Sequence, residues 1–444
     1  MAILNALERA IVSENLRPGD RLPTHRELAS QLGLAIGTVT KAYREAERLG
    51  LIAGDGRRGT FVGRRPRQSE TFPPLAQPDP GIIDLSKYYP PNTTDPDLRH
   101  ALTQLTRRET RHLITYSGPK GYDRHRAAGA KWVASLGLKA DQEDVVITYG
   151  AQHAILLTMM ALAKPGDIVA TEKHTYPGIK CVSDILGLRM VGVESDDEGM
   201  LPDSFASCCS RHRVKFLYLV PTLHNPTNAT LPESRRQALA EIARKHEVKI
   251  LEDEINRRLV DNPPPLISSL APERSYLIAS LSKVIAGGLR ICYLVPPKKD
   301  LEGIYRVLIG ASLQISPLLA ELAAMWITDG TADRTVAHKM AEAKKRSSLA
   351  RDILKGLKFN SAPSSYFIWL KLPEHWHRRD FAAETRRRGV IVAPADIFAV
   401  DSDNCGNAAR ICLGGHTDTE ILERGLKIVA SVTRGGPGSD SVVI

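Results

Sequence analysis

The sequence predicts a multidomain chain, in which a small α+β domain precedes a larger α/β domain with two subdomains. Three observations carry this prediction. The chain has 444 residues and is 43% hydrophobic, which is enough to bury more than one core. Residues 64–80 hold five prolines in seventeen positions and separate two differently patterned regions. Beyond them, short β-rich runs alternate with helical patterns, which indicates a mostly parallel sheet covered by helices.

The predicted boundaries follow these changes of pattern. The small domain covers residues 1–63, the stiff linker 64–80 and the large domain 81–432. A flexible tail, residues 433–444, is rich in glycine and serine. Within the large domain we expect a large subdomain over about residues 125–310 and a small subdomain made of the remainder.

Composition narrows the class and location of the protein. The formal charge is +10, and residues 1–70 carry 12 Lys+Arg against 8 Asp+Glu, a basic bias compatible with nucleic acid. The apolar stretch 155–163 is far shorter than the ~20 residues of a membrane-spanning helix. Glu8 and Arg9 interrupt the apolar core that a signal peptide needs. The six cysteines lack zinc spacing, so we expect reduced thiols, no metal and a cytoplasmic protein.

The first domain is predicted to contain three helices and a hairpin. Thr24 and Glu27 have capping-box spacing, and the helix they open is expected to bury Leu28 and Leu32 and to end at Gly33. Apolar residues at helical spacing also mark a helix before it and a helix after it, the latter with the stripe Val39, Ala42, Tyr43, Ala46 and Leu49. Two short helices joined by a glycine-containing turn are typical of a helix-turn-helix, and residues 51–62 predict a two-stranded wing. Periodicity alone fits a three-helix protein-interaction module about equally well.

Four ordered blocks over about 60 residues resemble the GntR-type winged helix. They are Leu16–Pro23, Arg26–Ala29, Thr38–Tyr43 and Gly59–Val62. The resemblance implies double-stranded DNA as a partner. The residues it places at the DNA are Arg26, Gly37, Thr38, Thr40, Lys41 and Arg44, with Arg57 and Arg58 at the wing tip. The basic side chains would mostly neutralise phosphates, and the threonines would donate to phosphate or reach a base edge.

The chain departs from that family at the start of the third helix. The family usually has a serine and a basic residue where this chain has Ala35 and Ile36. The missing N-cap hydroxyl is expected to weaken the helix start by ~1 kcal/mol, and one basic contact with DNA is lost.

In the large domain, polar motifs follow the predicted strands. The β-rich runs are residues 144–148, 215–220, 248–251, 275–279 and 290–295. Ligands bind at the carboxyl ends of the strands in such sheets. The motifs found there are Thr148–His153, Pro221–Thr227, Glu252–Glu254 and Ser280–Lys283 with Arg290. The first opens a helix, as in phosphate sites, and the third would place a carboxylate at a strand end, where burial is costly without a cationic partner.

In this order and spacing, the motifs resemble the fold-type I pyridoxal phosphate proteins of the class I/II aminotransferase family, over about residues 82–430. The gaps of 28 residues from Asn225 to Asp253 and of 30 residues from Asp253 to Lys283 are typical of it. The resemblance implies pyridoxal 5'-phosphate as the cofactor. Its catalytic residues would be Lys283 as the Schiff-base lysine, Asp253 at the ring nitrogen and Asn225 at the ring oxygen.

The resemblance also implies the rest of the site. The phosphate would be held by Gly150, Ala151, Gln152, Ser280, Ser282 and Arg290. Tyr176 would stack on the ring. Tyr116 matches a tyrosine that reaches the phosphate of the other subunit, which implies a homodimer. Arg410 matches the arginine that clamps the carboxylate of a substrate or effector.

Three departures concern this second resemblance. A tyrosine whose hydroxyl holds the ring oxygen is usual two or three residues after the aspartate, where this chain has Ile255 and Asn256. A glycine is replaced by Cys292, and a P-x-G-G pattern by residues 363–366. Loss of the tyrosine hydroxyl is expected to alter the pKa of the Schiff base and to weaken proton transfer more than cofactor binding.

Together the two halves resemble the MocR subfamily of GntR-type bacterial transcriptional regulators. The implied protein is a DNA-binding regulator in the bacterial cytoplasm, on the nucleoid when bound. It would sense a small amino compound (an amino acid, a related amine or a vitamin B6 form) through aldimine exchange at Lys283. A homodimer implies repeated operator half-sites. The alternative is a functional aminotransferase that carries a DNA-binding arm; the retained lysine, aspartate, asparagine and arginine favour it, whereas the lost tyrosine favours sensing.

Overall fold

The computed structural model describes residues 3–4, 6–7, 10, 16, 19–48, 51–54, 59–62, 81–107, 109–401 and 405–436. The chain divides into two compact units, Met1–Glu70 and Thr71–Ile444. The predicted linker and the wing-tip residues Arg57 and Arg58 lie outside the described residues. Within the described part of the chain, no helix is long and apolar enough to cross a membrane.

From the second predicted helix onward, the first unit has the predicted order of elements, whereas most of the first predicted helix lies outside the described residues. Helix α1 (His25–Leu32) is followed by helix α2 (Ile36–Arg48) and by strands β1 (Ile52–Gly54) and β2 (Thr60–Val62), which pair antiparallel. The capping box is present: the Thr24 backbone N–H donates to Glu27 Oε2 over 2.8 Å, and the Glu27 N–H donates to Thr24 Oγ1 over 3.3 Å. Gly33 ends α1 in the left-handed conformation at φ 64°, which glycine adopts without steric cost.

The core of the first unit is small. Val39, Tyr43 and Ala46 line one face of α2 and are buried against Ala29 of α1 and against the hairpin. The expectation that Leu32 is buried is wrong, because 51% of this residue is exposed. Leu32 is the last residue of α1, and since the chain turns at Gly33 there is no further helical turn to cover it.

The second unit contains fifteen strands within the described residues. They are β3 (Ile83–Asp84), β4 (Val146–Thr148), β5 (Ile168–Glu172), β6 (Arg189–Val193), β7 (Ser195–Asp196), β8 (Gly199–Met200), β9 (Val214–Leu219), β10 (Lys249–Asp253), β11 (Ser275–Ser280), β12 (Cys292–Val295), β13 (Phe359–Asn360), β14 (Phe367–Lys371), β15 (Val390–Ile391), β16 (Ala393–Pro394) and β17 (Ala408–Cys412). The larger sheet has the order β4-β12-β11-β10-β9-β5-β6. Only β12 runs antiparallel to its neighbours in it, so the predicted mostly parallel sheet is confirmed.

The described part of this unit also contains twelve α-helices. They are α3 (Leu98–Leu105), α4 (Asp123–Ser135), α5 (Gly150–Leu162), α6 (Pro177–Leu186), α7 (Pro202–Arg211), α8 (Glu233–Lys245), α9 (Ile267–Leu270), α10 (Leu301–Ser312), α11 (Pro317–Thr328), α12 (Thr331–Ile353), α13 (Arg378–Arg387) and α14 (Thr419–Arg434). The central strands are buried on both faces, which fits their nearly continuous apolar sequence.

This unit also contains a smaller antiparallel sheet, which is separate from the larger one and has the strand order β13-β14-β17-β16. Its core is a separate cluster that includes Leu370, Ile411 and Leu426. Strand β3 pairs with β15 beside this cluster, and Ile83 and Leu85 belong to it. Three residues later, Tyr88 belongs to the core of the larger sheet. The short segment after β3 therefore passes from one core to the other.

Candidate functional site

Asp253, Lys283 and Asn225, the predicted catalytic residues of the second unit, lie at or just after the carboxyl ends of neighbouring central strands. Strand β10 ends at Asp253, and its parallel neighbour β11 ends at Ser280, three residues before Lys283. Asn225 follows β9, which pairs with β10 on the other side. Strand adjacency thus brings together residues that lie 28 and 30 positions apart in the sequence.

Asp253 is a buried acid, 3% exposed. Its Oδ2 accepts from the Tyr218 hydroxyl over 2.9 Å, and its Oδ1 accepts from the Ile255 N–H over 3.3 Å. Burial raises the pKa of the Asp253 carboxyl to about 7 despite these two bonds. A carboxyl in this position gains most from a cationic N–H partner, and a protonated pyridine nitrogen is such a group.

Lys283 has a depressed pKa. Burial first, and then the positive charge of Arg410, lower the pKa of its amine to about 8. The Nζ atom donates to the backbone carbonyl of Tyr88. A lysine with such a pKa has a useful fraction of neutral amine near pH 7, as a nucleophile that attacks a carbonyl carbon requires.

Arg410 is a buried guanidinium, 5% exposed, in strand β17. Its Nη1 donates to Asn225 Oδ1 and its Nη2 to the Ser86 carbonyl, each over 2.6 Å. Its Nε is buried and has no hydrogen-bond partner among the described residues. Within the described residues, the groups that accept from Arg410 are an amide oxygen and a backbone carbonyl, and no carboxylate forms an ion pair with it. Buried charges are normally paired, so this one fits an acidic ligand. Because Asn225 Oδ1 accepts from Arg410, the amide NH2 group is directed to the opposite side, where it can donate.

Arg290 and the start of α5 form an anion cradle. Arg290 Nη2 donates to the Tyr149 carbonyl over 3.3 Å, and its Nη1 lies 3.5 Å from Ser282 Oγ. Ser280 Oγ lies 3.2 Å from Ser282 Oγ. Gly150, at φ 79°, opens α5, and a Cβ there would lie 2.5 Å from Arg290 Nη2. A helix N-terminus, a guanidinium and two hydroxyls fit a phosphate group, and only glycine leaves them room.

Tyr176 and Gln152 flank this cradle. Tyr176 directly precedes α6, which begins at Pro177. Burial first, and then the negative charge of Asp253, raise the pKa of the Tyr176 hydroxyl to about 12. Gln152 Nε2 donates to the Gly178 carbonyl over 2.9 Å, and a Cβ on Gly178 would lie 2.2 Å from the Tyr176 ring. Gln152 therefore supports the turn that carries Tyr176.

The other predicted residues lie in different settings. Ala151 is buried in the first turn of α5. Tyr116 is 82% exposed and lies at the surface of the single chain. Asn256 is fully buried, and its Oδ1 accepts from the Tyr88 hydroxyl over 2.7 Å.

Sequence reasoning misses three residues that contact the site. Tyr218 lies in the middle of a predicted strand, where no motif marks it. Ser86 and Tyr88 supply carbonyl oxygens to Arg410 and Lys283 from the segment after β3. The only available signal is the aromatic pair at residues 88–89 next to two prolines, which is too short to indicate a site.

In the first unit, the predicted DNA-contacting side chains are mostly accessible. Arg26, Lys41 and Arg44 are exposed, and none has a carboxylate partner within the described residues. Gly37 and Thr38 are exposed as well. The Thr40 hydroxyl is instead engaged inside the unit, since it donates to the Ile36 carbonyl over 2.9 Å and lies 3.2 Å from His25 Nδ1.

Comparison with known proteins gives two family matches. Residues 80–427 match the family described as aminotransferase class I and II, and residues 2–62 match the family described as bacterial regulatory proteins, gntR family. Together the two matches span nearly the whole chain and follow the order in which the two units occur.

Two relatives match along most of their length. The uncharacterized HTH-type transcriptional regulator YdeF of Bacillus subtilis is 30% identical over 96% of this chain and 93% of its own. The HTH-type transcriptional regulator TauR of Rhodobacter capsulatus is 30% identical, with 87% of each chain covered. Among solved structures, kynurenine aminotransferase of Pyrococcus horikoshii superposes with a TM-score of 0.74 at 24% identity, over 80% of this chain and 91% of that one. This likeness confirms the aminotransferase-like fold predicted for the second unit.

Proposed function

Because the chain belongs to the aminotransferase class I and II family and joins that domain to a GntR-type helix-turn-helix, as MocR-type transcriptional regulators do, we propose that it is a regulator that senses a small amino compound. The family cofactor is pyridoxal 5'-phosphate, and the GntR-type domain binds DNA. The compound would compete with Lys283 for the cofactor. The observation that carries the proposal is the buried Arg410, a cation that has no carboxylate partner among the described residues and whose charge acts on Lys283.

The described residues fit this cofactor. When bound, pyridoxal 5'-phosphate supplies an aldehyde carbon that reacts with amines and a ring that withdraws electrons. Lys283 would provide the amine and Asp253 would pair with the ring N–H. The Asn225 amide would donate to the ring oxygen, and Tyr176 would cover one ring face. The phosphate would lie in the cradle of Gly150, Ala151, Ser280, Ser282 and Arg290, with Gln152 as the support of Tyr176.

The effector would be an amino acid, since Arg410 selects for a carboxylate next to the amine. We expect the cofactor-loaded protein to bind an amino acid more than tenfold more tightly than the amine that lacks the carboxylate, for example L-alanine against ethylamine, because hydrogen bonds to charged groups contribute about 1.5–3 kcal/mol. Arg410→Ala should remove this preference. Titration of the imine absorbance measures both affinities, and their ratio cancels general damage to the site. An unchanged ratio in Arg410→Ala would show that Arg410 does not read the carboxylate.

For the DNA-binding unit, we expect Arg26→Ala to weaken binding about tenfold and to reduce the slope of log affinity against log salt concentration by about 1, because one phosphate contact is lost. The measurement is fluorescence anisotropy with the promoter duplex next to the protein's own gene, over a range of salt concentrations. Lys131→Ala is the matched control, since it removes an equal charge from an exposed position of α4 in the other unit. If both variants have the same slope as the unaltered protein, Arg26 does not contact DNA.

We also propose that the protein acts as a homodimer on repeated half-sites. Ile114 is 85% exposed and Tyr116 is 82% exposed, although both are apolar or aromatic side chains. By the family resemblance, Tyr116 would reach the anion cradle of the other subunit in such a dimer. Two DNA-binding units in one dimer would then require a repeated operator.

A genuine aminotransferase is the second candidate, favoured by the retention of Lys283, Asp253 and Arg410 in one site. It predicts sustained turnover when a 2-oxo acid is supplied as the amino-group acceptor. A sensor predicts an absorbance change with an amino acid but no steady production of a second amino acid.

A further inference from the structure

Tyr88 makes two contacts with Lys283. Its backbone carbonyl accepts from Lys283 Nζ, and the centroid of its ring lies 4.5 Å from the same nitrogen. The ring of Tyr89 lies 5.4 Å from it on the same segment. A carbonyl oxygen together with the face of an aromatic ring is an environment that stabilises an ammonium ion over a neutral amine.

Asn256 fixes the ring of Tyr88 in this position. The Tyr88 hydroxyl donates to Asn256 Oδ1 over 2.7 Å, and Asn256 Nδ2 donates to the Leu223 carbonyl over 2.8 Å. Both side chains are buried, and the Tyr88 ring also packs edge to face on Phe367, with 5.0 Å between centroids. The Tyr88 hydroxyl therefore gives its one proton to Asn256 and cannot donate to a ligand at the same time. Asn256 is one of the two positions, with Ile255, at which the related family usually has a tyrosine, and here it anchors a tyrosine from a distant part of the chain.

We propose that Tyr88 is a positioning residue for Lys283: its carbonyl and ring bind the lysine side chain as an ammonium, and Asn256 holds the ring in place. This rests on the proposed function, because it takes Lys283 as the lysine that bonds to the cofactor. Formation of that bond joins Nζ to the aldehyde carbon with loss of one water and consumes the neutral amine. The ammonium must first release one proton to solvent, so Tyr88 restrains Lys283 from bonding to the cofactor. A lysine displaced by an amino acid would be retained by Tyr88 rather than return at once.

The charges around Lys283 oppose one another. Burial and the positive charges of Arg410 and Arg290 lower the pKa of its amine, whereas Asp253 and Cys412 raise it. These groups come from β17, from the loop after β11 and from β10. Tyr88 belongs to a fourth element, the segment after β3. Its carbonyl and ring favour the ammonium form of Lys283 and so raise the pKa of the amine.

The test compares two side chains of nearly the same shape at position 88 of the full-length protein. Tyr88→Phe keeps an electron-rich ring, and Tyr88→pentafluorophenylalanine reverses the charge distribution of the ring face. The rate at which added pyridoxal 5'-phosphate develops imine absorbance is measured against pH. This rate rises with the neutral fraction of Lys283, so a lower pKa moves the midpoint to lower pH. We expect the fluorinated variant to have a midpoint about one pH unit below that of Tyr88→Phe.

A matched control separates this effect from general damage. Tyr276 also lies under a lysine, with Lys249 Nζ 5.5 Å from its ring centroid, but it is near the start of β11, away from the site. The same pair of substitutions at Tyr276 should leave the midpoint unchanged. If the two variants at position 88 bind the cofactor fully and have equal midpoints, the role proposed for Tyr88 is wrong, whereas the proposed function stands. If the unaltered protein develops no imine absorbance, the proposed function itself fails and this inference fails with it.

Discussion

We expect the replacement of Lys283 with alanine to abolish the imine absorbance that pyridoxal 5'-phosphate should develop with the full-length protein. Lys283 is the lysine that the structure places beside Asp253 and Arg410, and burial lowers the pKa of its amine to about 8. Without an amine at this position the cofactor can still enter the anion cradle, but the lysine nitrogen to which it would bond is missing. The loss should therefore be complete for the absorbance and only partial for cofactor binding measured by equilibrium dialysis.

Lys180 is the control for this prediction. Its Nζ donates to the Ile397 carbonyl over 3.0 Å, and burial lowers the pKa of its amine too, so it is the rival nucleophile. Lys180→Ala should keep the absorbance. Borohydride reduction of the loaded protein, followed by mass analysis of its peptides, should place the cofactor on the peptide that contains Lys283. A modified Lys180 peptide, or an absorbance that survives in Lys283→Ala, would contradict the assignment.

Much of this site can be predicted from the sequence because its residues are tied to local patterns. Asp253, Ser280 and Lys283 lie at or just after the ends of apolar strands, and parallel strands bring such ends to one edge of a sheet. Gly150 lies at a strand-to-helix junction, where a phosphate site has a recognisable pattern. In each case the neighbours in sequence determine the position of the side chain in the fold.

The contacts that cross the chain could not be predicted in this way. Tyr88 and Asn256 lie 168 positions apart, and neither has a local pattern that names the other. The departure at Asn256 is visible in the sequence, but the tyrosine that bonds to it is not. The sequence pattern also does not predict strands β5 and β6, although they complete the larger sheet. Leu32 has helical spacing with Leu28, but the spacing does not show that the helix ends before the core covers it.

Arg236 is the clearest case of a residue whose role only the fold reveals. In the sequence it is one of two adjacent arginines in a charged helix. In the structure it is fully buried in α8 and pairs with Glu254 over 2.9 Å. Its Nη2 donates to the Pro221 carbonyl and to Thr222 Oγ1, each over 2.9 Å. Arg236 therefore connects Glu254, which follows Asp253, with the loop that leads to Asn225. In this way it fixes two segments that carry site residues.

We expect Arg236→Met to reduce the free energy of unfolding of the second unit by about 3–5 kcal/mol, because it leaves the buried Glu252 without its cation and leaves Glu254 with Arg257 alone. All four tryptophans lie in that unit, so their fluorescence during urea unfolding reports on it alone. Arg244→Ala is the matched control: Arg244 lies on the same helix and pairs with Glu273 over 3.0 Å, but both side chains are nearly half exposed, so a loss of only about 0–1 kcal/mol is expected.

The pH dependence of Arg236→Met identifies the cause of the loss. Without Arg236, the pKa of the Glu252 carboxyl, already raised by burial, rises further, since the arginine's charge is one of the influences that lower it. A carboxyl whose pKa is higher in the folded than in the unfolded chain holds its proton on folding, so its contribution to stability declines as the pH rises through that range. The deficit of Arg236→Met relative to the unaltered protein should therefore be larger at pH 8 than at pH 5. A deficit that does not vary with pH would show that its source is lost packing around the side chain and not the unpaired carboxylate of Glu252.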